Sequence, residues 1–559
     1  MEILIFLKKN NSYLRNVLFL FGILSSALIN SEIGVKPLGK IHYQNSFLKN
    51  LSLDVSESEK VTVTNDEKVN VVIKLDYELF DSSSLLDDDN AQQSKNELLS
   101  QGREYYSKKN QELMNSINAE RMNDLYVSRY SPFISFNVDS KDLNTVYEED
   151  LETLSKKTFV ESINIYNNKN YRPMMSANKP GSGVTEVANT YNVTGRGVKV
   201  GMLECGILDK NNANFTGKTV VARNQLFVIE TVTDHATAVA SVIGGINNGI
   251  APDCSIYSVQ LVGGDPINEI EWLLDQKVDV INMSYGDSEP NGIYANDSAY
   301  MDFVANTYKT IFVAAIGNDG FESDYVGNPA LGYNVFGVGA CDYKSPVPFG
   351  YSPSKVEKGP DKPSITAPGN ALTIANLAGT FSGTSFSSAF VTGCVALMLE
   401  YRPALKLHPE RVYALLTANA RTSLITSDYV GLRTKAGAGG LSITKVFKNI
   451  DNIFYGTVTS RTAYEKSIEL SIDSGHSMQV AAYWLAYADG NANNTKHTDY
   501  DLFLIDSSPS YVLKARSYKN NFEYFEWKCN SSDDYILSFD LAGEMVQSPD
   551  QFCVAYCIN

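Results

Sequence analysis

Between about residues 176 and 450, short runs of continuous apolar residues alternate with helical stretches, and each run ends in glycine or polar residues. The runs are VKVGML, CSIYSVQLV, VDVINMSYG, TIFVAAIGN and NVFGVGACD. Strands that are apolar on both sides must be covered on both faces, so the pattern predicts a parallel sheet between helices. In such sheets the chemistry lies beyond the carboxyl ends of the strands. Glu204, Asn318 and the segment 282–286 all lie at such ends.

The N-terminus has the layout of a secretory signal over residues 1–30. Lys8, Lys9 and Arg15 precede an apolar run from Val17 to Ile29, which is too short for a comfortable membrane span. The alternative is an uncleaved N-terminal anchor, and no other stretch of the sequence reaches membrane length. We therefore expect a secreted or cell-surface protein.

A chain of 559 residues is too long for one ordinary core, and two further regions flank the α/β domain, which we place at 173–450. Residues 31–172 show the order β-α-β-β-α-β, the ferredoxin-like pattern; its helices are predicted over 91–121 and around LNTVYEEDLETL. Residues 451–559 show alternating strands with turns, which predict an all-β sandwich similar to a jelly roll.

Charge and cysteine usage exclude several classes of partner. The formal net charge is -17, and without a Lys/Arg stripe such a chain repels phosphate backbones, so nucleic acid is not expected as a partner. The seven cysteines do not have the spacing of a metal centre. Cys529 together with Cys553 or Cys557 is a candidate disulfide if the chain is exported.

The most informative stretch is FSGTSFSSAFVTGCVALMLEYRP, residues 381–403. Ser385 follows a tight turn and opens a strongly apolar helix, so its hydroxyl lies where free N–H groups favour developing negative charge. That position suits a nucleophile. The alternative is a serine that only caps a core helix.

A serine nucleophile needs a base, and only two of the five histidines lie in the α/β domain. His408 precedes a proline at a helix start and is expected to be an exposed boundary residue. His235, in TDHATAVASVIGG, opens a helix of small residues that allow close packing. The candidate base is therefore His235.

These motifs resemble the subtilisin-like serine proteases. Five segments occur in the family's order, namely HATAVASVIGG, INMSYG, FVAAIGN, ITAPG and GTSFSSAFVTG. The resemblance implies a serine endopeptidase in which Ser385 attacks the scissile carbonyl and His235 moves the proton. It also implies that the Asn318 amide and the Ser385 backbone N–H bind the oxyanion.

The resemblance further implies a cleft for protein or peptide substrates. Its residues are Ser284, Tyr285 and Gly286, which would pair with the substrate backbone, and Ala315 and Gly317, which would line the pocket for the residue before the cut. Ile316, where the family has a smaller residue, is expected to face the core.

Upstream, the ferredoxin-like unit is similar to the family's propeptide, an intramolecular chaperone and inhibitor. We expect the precursor to cut itself between Tyr171 and Ser176, where an extended linker contains a proline. No cofactor is required for such chemistry and no catalytic metal is expected, although a structural calcium ion is compatible with the loops.

The sequence departs from the family pattern at three positions. Ala389 replaces a proline, Ala236 replaces a glycine, and Glu204 stands where aspartate is usual. We assign Glu204 as the third triad member, which orients His235. Asp209 and Asp234 are the alternatives for that role.

Two other functions are alternatives. A catalytically inactive relative that acts as a binding protein is supported only by Glu204. The related acid-acting sedolisins carry a glutamate in place of the histidine and an aspartate at the oxyanion position, and His235 and Asn318 argue against them.

Overall fold

The computed structural model of the protein describes residues 41–43, 68–114, 122–139, 159–167, 172–173, 183–223, 231–246, 249–261, 265–342, 345–422, 427–459 and 464–559. The predicted signal and its apolar run lie outside these residues. The chain divides into two compact units: unit 1 contains Met1–Glu78 and Lys108–Asn168, and unit 2 contains Leu79–Ser107 and Lys169–Asn559.

Unit 1 is built on one sheet. Its strands are β1 (Ile41–Tyr43), β2 (Lys68–Leu75), β3 (Asn123–Val127), β4 (Phe133–Asp139) and β5 (Val160–Asn167), in the order β1-β5-β2-β4-β3. The last four are antiparallel and have the strand order of a ferredoxin-like sheet. Strand β1 pairs in parallel with β5 and was not predicted. The predicted second helix lies outside the described residues.

Helix α1 (Ala91–Met114) connects β2 to β3 in the sequence. It begins at the residue that the sequence predicts, and residues 115–121 of the prediction lie outside the described part of the chain. The helix is divided between the two units: its residues 91–107 belong to unit 2, and its residues 108–114 belong to unit 1.

Unit 2 contains a seven-stranded sheet in which every pair is parallel. Its strands are β7 (Lys199–Glu204), β8 (Val220–Ala222), β9 (Ser255–Gln260), β10 (Val280–Met283), β12 (Ile311–Ala315), β13 (Val335–Cys341) and β14 (Ile365–Pro368), in the order β14-β13-β12-β10-β7-β9-β8. Two short strands, β6 (Arg172–Pro173) and β11 (Tyr285–Gly286), pair with each other outside this sheet.

The helices of unit 2 are α2 (Val184–Tyr191), α3 (Asp234–Gly244), α4 (Ile267–Asp275), α5 (Asn296–Tyr308), α6 (Thr384–Tyr401), α7 (Pro409–Ala418) and α8 (Ile443–Lys448). Val200 and Met202 of β7 are buried in one core with α6, whereas Gly201 approaches Leu273 of α4. Neighbouring residues of a strand point to opposite faces, so the sheet is covered on both faces. The predicted fold class is confirmed.

The C-terminal region is the predicted all-β sandwich. A short hairpin, β15 (Leu372–Thr373) and β16 (Thr380–Phe381), precedes it. The strands of the sandwich are β17 (Tyr429–Val430), β18 (Ile453–Val458), β19 (Glu465–Ile472), β20 (Ser477–Trp484), β21 (Tyr500–Ile505), β22 (Tyr511–Arg516), β23 (Phe522–Lys528), β24 (Asp533–Leu541) and β25 (Asp550–Ile558). One sheet has the order β17-β23-β20-β25-β18 and the other β19-β24-β21-β22.

The five-stranded sheet is buried on both faces. Along β20, Val480 and Ala482 contribute to the core inside the sandwich, whereas Ala481 and Tyr483 contribute to the core of the α/β domain. Strand β17 comes from the chain before residue 451 and pairs with β23. The sandwich is therefore packed into the α/β domain as one of its layers.

All seven cysteines are free thiols in this structure, and the candidate disulfide is not formed. Burial on the two faces of the sheet separates one candidate pair, because Cys529 belongs to the core inside the sandwich and Cys553 to the core shared with the α/β domain. None of the described helices is both long and apolar enough to cross a membrane.

Candidate active site

Glu204 and His235 meet at the carboxyl end of β7. Glu204 is the last residue of that strand, and His235 lies in the first turn of α3, whose cap Thr233 accepts a hydrogen bond from the Ala236 N–H at 3.1 Å. His235 Nδ1 lies 3.3 Å from Glu204 Oε2. The two side chains are 6% and 0% exposed, respectively, so this contact is shielded from water.

Because Glu204 is buried, its carboxylate needs a polar partner: an isolated buried carboxylate costs much free energy. Neither of its oxygens accepts a hydrogen bond from the part of the chain that the structure describes, and the polar group beside it is the His235 ring. The two alternatives have other environments: Asp209 Oδ1 accepts a hydrogen bond from the Asn211 N–H at 2.9 Å, and Asp234 is exposed. The geometry therefore favours Glu204 as the carboxylate beside His235.

Ser385 is brought to the same place by helix α6. It is the second residue of the helix and fully buried, and its Oγ donates to the Ser284 carbonyl at 3.2 Å. The next residue, Phe386, packs edge-on against His235 with ring centroids 5.5 Å apart. The three predicted triad residues thus come from β7, α3 and α6: Glu204 contacts His235 directly, and Ser385 precedes the residue whose ring contacts His235.

A buried polar network lies beneath Ser385 and was missed in the sequence. Ser284 Oγ donates to the Ser385 carbonyl at 2.9 Å and accepts from Asn282 Nδ2 at 2.7 Å. Thr392 Oγ1 of α6 donates to Asn282 Oδ1 at 3.1 Å. These bonds fix β10 against α6. The sequence did contain a signal for this network, because Asn282 and Thr392 are polar residues inside otherwise apolar elements.

Asn318 lies just past β12, at the same edge of the sheet. Its Oδ1 accepts from the Thr384 N–H at 3.0 Å, and Thr384 Oγ1 donates to the Gly317 carbonyl at 2.9 Å. The φ of Gly317 is +119°, a conformation that side chains rarely adopt, so glycine is required in this turn. Because its oxygen is held by Thr384, the amide presents its NH₂ end as the donor.

The predicted pocket residues are buried beside Asn318. Ala315 is 2% exposed, and Gly317 adjoins Pro353. Ile316 is fully buried and lies against Gly337 and Gly339. Ile316 therefore faces the core, as the sequence analysis expected.

The predicted substrate strand is paired with the chain itself. Strand β11 is antiparallel to β6, with Tyr285 opposite Pro173 and Gly286 opposite Arg172. Residues 172–173 lie inside the predicted processing window, of which positions 171 and 174–176 are outside the described residues. The edge of β11 thus holds a two-residue segment of the chain itself, added as a strand in the way that the β-addition mode of peptide recognition adds a peptide.

The expectation for His408 was wrong. It is 1% exposed, with Nδ1 2.7 Å from Glu410 Oε1 and Nε2 bonded to Asp88. Burial alone lowers the pKa of His408, but the two carboxylates outweigh it and raise that pKa. The helix start is covered by residues distant in the sequence, so a local boundary signal does not report its exposure.

Among the residues that the structure describes, no cluster of three or more His, Cys, Asp or Glu side chains has the arrangement of a metal site. A structural calcium ion stays a prediction, which rests on the composition of the loops.

Comparison with known proteins gives the following similarities. Subtilisin amylosacchariticus of Bacillus subtilis subsp. amylosacchariticus is 29% identical over 229 residues, which are 38% of this chain and 57% of the relative. Membrane-bound transcription factor site-1 protease of Homo sapiens is 29% identical over 259 residues, 41% of this chain and 23% of the relative. The chain thus spans little more than half the length of the first of these relatives and less of the second.

Many solved structures also match, among them the following two. Fervidolysin from Fervidobacterium pennivorans, a keratinolytic enzyme related to subtilisin, is 14% identical with a TM-score of 0.46, covering 83% of this chain and 70% of that one. The prenylagaramide maturation protease PagA is 24% identical with a TM-score of 0.39, covering 48% and 98%.

The family comparison covers more than half of the chain. The model of the subtilase family matches residues 158–452, a range that contains the parallel sheet, Glu204, His235, Asn318 and Ser385. The chain belongs to the subtilase family of serine peptidases.

Proposed function

We propose that the protein is a secreted serine endopeptidase that works through Ser385, His235 and Glu204 and is made as a self-processing precursor. The observation that carries the triad is the 3.3 Å contact between His235 Nδ1 and the buried Glu204 carboxylate. Because Nδ1 faces Glu204, the other ring nitrogen, Nε2, is the one that serves Ser385.

The reaction follows from these positions. Ser385 Oγ bonds to the substrate carbonyl carbon while its proton passes to His235 Nε2. The C–N bond then breaks, and His235 returns the proton to the leaving amine. Water, deprotonated by His235, then adds to the acyl carbon; the bond to Ser385 Oγ breaks, and His235 returns the proton to Ser385. The imidazolium that forms in each step is stabilised by Glu204.

Charge on the carbonyl oxygen is stabilised by donors at the edge of the sheet. The candidates are the Asn318 NH₂ group, held by Thr384, and the Ser385 N–H in the first turn of α6, where the helix dipole favours negative charge.

Self-processing is supported by the pairing of β6 with β11. The register places Pro173 opposite Tyr285 and Arg172 opposite Gly286, so the paired residues end one position short of Ser284. Ser385 Oγ donates to the Ser284 carbonyl at 3.2 Å. We therefore place the cut between Met174 and Met175, within the window from Tyr171 to Ser176. Residues up to 174 would occupy the cleft as a product-like inhibitor until they are removed.

The decisive test is labelling of purified protein with a fluorophosphonate probe, which requires an activated serine. We expect wild type to label and Ser385→Ala not to label. N-terminal sequencing of the mature form should begin at Met175, and Ser385→Ala should remain full length in a host that lacks other proteases. Absence of labelling in folded wild type would favour the inactive binding homologue. Cutting of the alanine variant at the same bond would exclude self-processing.

A further inference from the structure

The segment of residues 79–107, here called the anchor segment, lies in the sequence predicted to be propeptide but is packed within unit 2. Its contacts lie at the edge of the parallel sheet where the strands begin. Lys95 Nζ donates to the Lys309 carbonyl at 2.6 Å, two residues before β12. Gln92 accepts from Lys406 at 2.7 Å, and Lys406 pairs with Asp279, which precedes β10, at 3.2 Å.

This edge is opposite to the candidate active site. Glu204 ends β7 and Ser284 follows β10, whereas the anchor segment contacts the residues just before the strands. Strands of this length are roughly 13–20 Å long at about 3.3 Å per residue. A cut beside Ser385 therefore leaves the anchor contacts untouched.

The anchor segment makes charged contacts that reach buried partners. Asp88 bonds to His408 Nε2 and accepts from Arg411 Nη1 at 2.8 Å, and both partners are nine-tenths or more buried. Burial by itself raises the pKa of Asp88, but His408 and Arg411 outweigh it and lower the pKa to about 2. Lys95 is itself fully buried. Removing the segment would take the Asp88 carboxylate away from Arg411 and from one ring nitrogen of His408, both of which are buried.

The helical part of the segment fits closely against α5. A Cβ atom at Gly102 would lie 2.6 Å from Tyr308 Cε1, so the helix approaches at a distance that only glycine allows. Tyr106 is fully buried and packs edge-on against Phe303, with ring centroids 6.2 Å apart. Arg103 adds an ion pair with Asp275 at 3.2 Å.

We propose that the anchor segment stays with the catalytic unit after the propeptide is cut, as a permanent second chain of the mature enzyme. This rests on the proposed self-processing. Maturation then requires hydrolysis of two further peptide bonds, one on each side of residues 79–107, by the peptidase itself or by another peptidase. The releasable inhibitor is the remainder of the propeptide.

The test separates this inference from activity by using full-length Ser385→Ala with the recognition sequence of a site-specific protease in place of residues 174–178. After the engineered cut, a trace of a broad-specificity protease is added, and surviving peptides are identified by mass spectrometry after gel filtration. We expect a peptide containing residues 79–107 to co-elute with the C-terminal piece and to survive at least tenfold longer than peptides from residues 122–167.

Matched variants identify the contacts responsible. Gly102→Trp and Asp88→Lys should abolish the protection, whereas Glu104→Trp and Asp89→Lys, at exposed positions of the same segment, should preserve it. Circular dichroism of the C-terminal piece shows whether its fold is retained, and hydrogen exchange of uncut Ser385→Ala should show slow amides over residues 95–106.

The inference is overturned if residues 79–107 are digested as fast as the rest of the propeptide while the C-terminal piece stays folded and intact. Rapid exchange over residues 95–106 in the uncut protein would also overturn it. Neither outcome bears on whether wild type cuts itself, which the fluorophosphonate and N-terminal sequencing experiments decide.

Discussion

Replacing Glu204 with glutamine tests the assignment of the triad most directly. The substitution keeps the shape of the side chain and removes its charge beside His235. At the observed 3.3 Å and an effective dielectric constant of about 20, the attraction between the carboxylate and the imidazolium is about 5 kcal/mol. At about 1.4 kcal/mol per power of ten, Glu204→Gln should lower kcat/KM by roughly three to four powers of ten.

A graded variant checks the distance dependence. Glu204→Asp withdraws the carboxylate by one C–C bond, about 1.5 Å, and the same calculation gives an attraction of about 3.5 kcal/mol and a loss of about tenfold. The assay is steady-state hydrolysis of a chromogenic peptide by the mature form. Because an uncut variant would be inactive for another reason, precursors are first cut at residues 174–178 by the site-specific protease.

Asp209→Asn is the matched control, since its carboxylate accepts a hydrogen bond from its own loop. Its turnover should stay within about threefold of wild type. The reasoning is refuted if Glu204→Gln retains turnover within a few-fold while Asp209→Asn abolishes it; Asp209 would then be the orienting carboxylate. Thermal unfolding should show that Glu204→Gln is folded.

Four further outcomes are expected. Asn318→Ala should lower kcat by about two to three powers of ten with little change in KM, the loss associated with one oxyanion donor. Chelator should leave peptide hydrolysis unchanged, because a triad needs no Lewis acid; immediate loss with the fold intact would contradict this. Burial raises the pKa of Glu523 to about 8, so the folded state binds its proton more tightly than the unfolded state. The stability of the fold should therefore fall as pH rises from about 4.5 to 8. Glu523→Gln should flatten that decline in Tm, and an unchanged slope of Tm against pH would refute the reasoning. Asn334 bonds Ala486 at 2.7 and 2.9 Å across the two domains, so Asn334→Ala should cost about 3 kcal/mol in chemical denaturation, whereas exposed Asn493→Ala should be neutral.

The sequence alone determined the features that have a local cause. Continuous apolar runs predict strands buried on both faces, and the observed sheet has them in the expected places. Because parallel strands end at one edge, Glu204 and Asn318 were expected to lie together with the segment after β10. The antiparallel order of β2 to β5 likewise followed from the succession of elements along the chain.

Only the tertiary structure decided which distant residues meet. Asp88 and His408 are separated by 320 positions, and nothing near either residue indicates a buried pair; a histidine before a helix proline has the same local pattern whether covered or exposed. The same holds for residues 79–107, whose helical pattern is local but whose docking depends on Lys309 and Tyr308. The five-stranded sheet shows the reason again: alternation along β20 predicts one buried face, and burial of the second face depends on which layer packs against it.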